Sequence, residues 1–72
     1  MPLTFATIGE TAIVKEIRGK DDTRRFLENL GFVAGGHVTV ITETAGNLIV
    51  NVKDTRIALS KSMANRILIG MM

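Results

Sequence analysis

The chain has 72 residues, nine Lys and Arg against seven Asp and Glu, and no cysteine. A chain this short makes one domain that buries about 60% of its unfolded surface, so its stability is marginal and a partner or self-association is expected. Disulfides, thiolate metal centres and thiol redox chemistry are excluded, and a net charge of +2 is too small to argue for nucleic acid by itself.

The apolar fraction of 46% suffices for a small core, yet the longest apolar runs, such as Ile67-Leu68-Ile69, fall far below a membrane span of about 20 residues. The opening MPLTFATIGE lacks the basic segment and apolar stretch of a secretion signal. A cytoplasmic location is the expectation.

In chain order, Leu3 and Phe5 begin a piece that lies across the core as a strand or short turn, and Gly9-Glu10 makes a bend. Residues 11–17 read as a strand with Ile13 and Ile17 on one face and Ala12 and Val14 on the other. Apolar residues on both faces suit a strongly bent strand in a small barrel. After Gly19-Lys20, Asp21 or Asp22 is the expected cap of a helix that runs to Leu30, with Phe26, Leu27 and Leu30 on its apolar stripe. Gly31 stands where a left-handed residue closes a helix, and Phe32 is placed to fold back on the last turn.

Ala34-Gly35-Gly36 turns the chain into a strand over 37–44. Ala45-Gly46-Asn47 is a hairpin loop, and 48–52 returns from it. Lys53-Asp54-Thr55 is a second tight turn into a strand over 56–59. Ser60 is a good N-cap, and Leu59, Met63, Ala64 and Ile67 are spaced as the buried side of one short helix. Residues 67–69 close the sheet, leaving Gly70-Met71-Met72 as a loose end. The stretches Gly9 to Val14 and Gly35 to Val40 also echo each other, a glycine turn followed by an alternating strand, as two similar corners of one barrel. The fold expected is mainly β, a single domain over 1–72 forming a small SH3-like barrel of about five strands with two short α-helices.

The pattern of Leu27, Leu30, Gly31, Phe32, Gly35, Val38 and Val40, followed by Arg56-Ile57-Ala58-Leu59, Ala64 and Ile67-Leu68-Ile69, resembles the FeoA family of bacterial ferrous iron uptake. Two turn positions depart from the family pattern: Ala34 replaces a usual proline and Asp54 a frequent glycine. The resemblance implies a non-catalytic accessory that docks on an FeoB-type transporter with a cytoplasmic GTPase domain, meeting the membrane only through it. On an SH3-like fold the helix after the first strand should shape a ligand groove, and Arg24, Arg25, Phe32 and Val33 are the expected partner contacts.

Catalytic and metal constellations are not legible. His37 is the one histidine, and Glu10, Glu43 and Asp54 stand at no ligand spacing from it. Gly35-Gly36 opens a strand rather than a helix, so it makes no phosphate loop. Met63 reads as core and the last two methionines as tail, rather than as soft ligands. No enzyme activity, cofactor or metal site is expected. The alternatives are a nucleic-acid-binding or regulatory SH3-like module, for which three phenylalanines and no Tyr or Trp supply few stacking platforms, and a structural protein that self-associates through an open barrel edge to form a homo-oligomer.

Overall fold

The computed structural model describes residues 1–71. Five antiparallel strands form one curled sheet: β1 (Thr11–Ile17), β2 (His37–Glu43), β3 (Asn47–Val52), β4 (Thr55–Ser60) and β5 (Ile67–Met71), in the order β4-β3-β2-β1-β5. Helix α1 (Asp21–Leu30) joins β1 to β2, and α2 (Lys61–Ala64) joins β4 to β5. Of the strand or short turn expected at the N-terminus, the chain forms the turn, a 3-10 turn at Leu3–Phe5 that buries Leu3 and leaves Phe5 70% exposed.

Alternation decides which residues enter the core. Val38 and Val40 of β2, Leu48, Val50 and Val52 of β3, and Ile67 and Ile69 of β5 all lie on the concave side with Leu27 and Phe32. Strand β1 departs from the simple alternation read from its sequence. Ala12, Val14 and Ile17 share the core, while Ile13 is only half-buried. A bulge against β5 between Val14 and Glu16 adds the residue that brings Ile17 back to the inner face.

The echo between the two glycine corners is a pseudo-two-fold relation between β1 and β2. Gly9 (φ +90°) donates its N–H to the Val40 carbonyl at 2.8 Å, and Gly35 (φ +87°) donates to the Val14 carbonyl at 2.8 Å. The bulges obey the same offset: β1 bulges between Val14 and Glu16, β2 between Val40 and Thr42. Each bulge bends its strand, and together they curl the sheet around the core.

Turns and caps carry the remaining detail. Lys53 (φ +50°) and Asp54 (φ +61°) are both left-handed, the requirement of a two-residue hairpin turn, so Asp54 fills the conformation glycine often serves. Ser60 caps α2 by accepting a hydrogen bond from Met63 N–H at 3.3 Å. Ile67, expected on that helix, instead opens β5, because α2 ends after one turn at Ala64. Gly70 and Met71 are not a loose end: they pair with Ile13 and Ala12 in β5. Met72, assigned to the same tail, lies outside the described residues.

Candidate docking surface

Helix α1 begins without a side-chain cap. Lys20 occupies the N-cap position in an extended conformation, and Asp21 and Asp22 are already helical. They therefore do not cap as expected; they place negative charge in the first turn, where the positive end of the helix dipole stabilises it. At the other end Gly31 (φ +113°) takes the left-handed conformation, donating to the Glu28 carbonyl at 3.0 Å while Phe32 donates to the Leu27 carbonyl at 3.1 Å. These paired bonds form a Schellman motif. The Lys53 side chain lies against Gly31, so the β3–β4 turn is seated on the end of the helix.

The helix is anchored along a narrow line. Leu27 is fully buried, and Thr23 and Leu30, one turn to either side, are half-buried. Phe26, which the sequence places on the same stripe, is 52% exposed. The reason is rotational: at about 100° per residue, Thr23, Leu27 and Leu30 point within a narrow arc, and Phe26 falls about 100° from Leu27. Sequence reasoning missed Phe26 as a surface residue. The sequence carried no decisive signal for it, because adjacent apolar residues about 100° apart can share one apolar stripe, and packing alone sets the rotation.

The four expected contacts separate on the structure. Arg24 and Arg25 are both exposed, about 100° apart around the helix axis. Val33 is half-buried. Phe32 is fully buried, which corrects its placement on the surface: its ring is the apolar lock that follows the helix cap and belongs to the core. Of the four, Arg24 and Arg25 remain exposed, and on the helix the half-exposed Phe26 adjoins Arg25 with the half-buried Leu30 one turn further on.

Electrostatically this surface is open. Among the described residues the ion pairs are Arg18 with Glu16 at 3.8 Å and Lys61 with Glu43 at 3.5 Å, and neither involves α1. Asp21 and Glu28 lie one turn from Arg25 and Arg24 without closing to ion-pair distance. The Arg66 side chain lies against Gly19, just ahead of the helix, and extends the basic character toward its start. An exposed aromatic ring beside unpaired guanidinium groups suits a protein interface, where Phe and Arg are enriched.

His37 lies elsewhere. With Thr11, Thr39, Asn51, Lys53 and Asp54 it lines an open polar depression of about 390 Å³ on the outer side of the sheet. The hydroxyls of two of these residues, Thr11 and Thr39, share a hydrogen bond of 2.8 Å. His37 and Asp54 are two metal-type donors in this depression, and no group of three or more His, Cys, Asp or Glu converges among the described residues.

A curled five-stranded sheet with a helix inserted after its first strand defines a small SH3-like domain. Comparison with known proteins makes the family specific. The FeoA domain model matches residues 1–70, and the chain belongs to the FeoA family. A relative from Methanocaldococcus jannaschii that carries the name of an Fe(2+) transport protein A is 32% identical over 68 residues, spanning 94% of this chain and 83% of that protein. A crystal structure of an iron uptake regulatory protein, FeoA, superposes with a TM-score of 0.88 at 30% identity, covering 97% of this chain and 93% of the other. FeoA from Stenotrophomonas maltophilia, a prokaryotic SH3 domain protein crystallised with zinc, gives 0.85 at 30% identity over 97% of this chain and 89% of that one.

Proposed function

We propose that this chain is a cytoplasmic accessory of ferrous iron transport that acts by binding rather than catalysis, docking through the outward face of α1 on the GTPase portion of an FeoB-type transporter. Membership of the FeoA family supports the transport role. The observation that carries the docking surface is Phe26, a ring half exposed on a helix whose other large apolar side chains are wholly or partly buried, next to Arg25, which makes no ion pair among the described residues. Docking buries the ring and lets the guanidinium groups meet carboxylates of the partner.

Modulation follows only if the domain binds one state of the transporter better than another. A preference of about 1.4 kcal/mol shifts a two-state equilibrium tenfold. The test is ferrous iron uptake in cells whose own accessory is replaced by the wild-type chain or by Phe26→Ala with Arg25→Glu. The folded double variant is expected to lose support of uptake. Uptake at the wild-type level, with the variant's thermal melt unchanged, would remove α1 from the interface.

A further inference from the structure

The sheet has two edges, and they differ. Along β5 the outer edge is covered: Pro2 bridges Leu68, the Met1 ammonium donates to the Ile69 carbonyl at 3.1 Å, and Ile69 N–H donates to the Met1 carbonyl at 2.7 Å. Strand β4 pairs with β3 alone, and its far side has no backbone partner among the described residues.

The turn determines which groups are left over. Lys53-Asp54 closes a two-residue hairpin, so Val52 and Thr55 exchange both hydrogen bonds, as do Val50 with Ile57 and Leu48 with Leu59. The alternate residues Arg56, Ala58 and Ser60 therefore aim their N–H and C=O groups away from the sheet. The strand reads TRIALS, with no proline and no bulge against β3, so of the devices by which natural proteins blunt an edge it carries a single charge, Arg56, toward one end.

We propose that the β4 edge pairs with a second copy of this chain, the two β4 strands running antiparallel across a two-fold axis at Ala58. Register selects the axis. Symmetric pairing must set outward-aiming residues opposite one another, and an axis at Arg56 would oppose two guanidinium groups. An axis at Ala58 sets Ala58 opposite itself and Arg56 opposite Ser60 of the second copy, so all three outward residues are used. It also brings the half-buried Ile57 beside the second copy's Leu59 on the inner side. Head-to-tail pairing of β4 with β5 is disfavoured because Met1 and Pro2 already occupy that edge. The proposal is independent of docking by α1, which involves neither edge.

Sedimentation of the chain alone from about 10 µM to about 1 mM reads the association directly. Wild type is expected to pass from monomer to dimer. Ala58→Pro removes one outward N–H and none of the bonds to β3, and should weaken the dimer at least about tenfold. Ala58→Lys and Ala58→Glu should each be monomeric, and their equimolar mixture should dimerise, which distinguishes edge pairing from a loss of fold. A wild-type monomer across the whole range, charge variants that dimerise alone as well as wild type, or a mixture that stays monomeric would overturn the proposal. A monomer whose β4 edge is taken by an extended segment of another protein would count as the first of these.

Discussion

Gly31 shows how a single residue can set the course of the chain. Its φ of +113° closes α1, and a Cβ there would meet Lys53 and Val52 only at ordinary contact distance, so the cost of a side chain is conformational rather than steric. Gly31→Ala is expected to lower stability by about 1 kcal/mol, seen as a lower urea midpoint with an unchanged slope. The opposite sign is expected at Asp54. At φ +61° it pays for a conformation glycine adopts freely, so Asp54→Gly should raise stability by several tenths to about 1 kcal/mol, seen as a higher urea midpoint. Both glycine logic and the Ser60 cap were legible in the sequence because each depends on one residue's local chemistry. The capping role expected of Asp21 or Asp22 was not legible, because it depends on which residue is the last extended one, and the chain enters α1 with Lys20 in that position.

At the scale of the element, α1 contrasts two adjacent residues. Leu27 is fully buried, and Leu27→Ala should cost about 2 to 5 kcal/mol, enough to unfold much of so small a domain. Phe26 is half exposed, and Phe26→Ala should change stability by no more than about 0.5 kcal/mol while weakening partner binding about tenfold or more. A calorimetric melt and a binding isotherm on the two variants separate fold from function. The end of the helix at Gly31 was legible but its rotation was not, since Phe26, Leu27 and Leu30 fit one stripe loosely and only packing selects Thr23, Leu27 and Leu30. The same limit applies to β1, where the bulge after Val14 moved Ile17 to the inner face against the period-two reading.

At the scale of the whole molecule, five strands, two helices and their order were readable from alternation, glycine turns and caps, and the echo of the two glycine corners proved to be a pseudo-two-fold relation with matched bulges. What surrounds the fold was less readable. Exposure depends on contacts distant in sequence, which is why Phe32 moved from the expected surface to the core and Phe26 the other way. At this scale the proposal to test is docking of α1 on the transporter. The most direct measurement is an amide-resolved NMR titration of the chain with the cytoplasmic GTPase domain of its cognate transporter, without nucleotide, with GDP and with a GTP analogue. Docking through α1 predicts shifts concentrated from Thr23 to Val33, weakened by salt and dependent on nucleotide state. Shifts confined to another surface, or none with the partner in the high micromolar range, would contradict it.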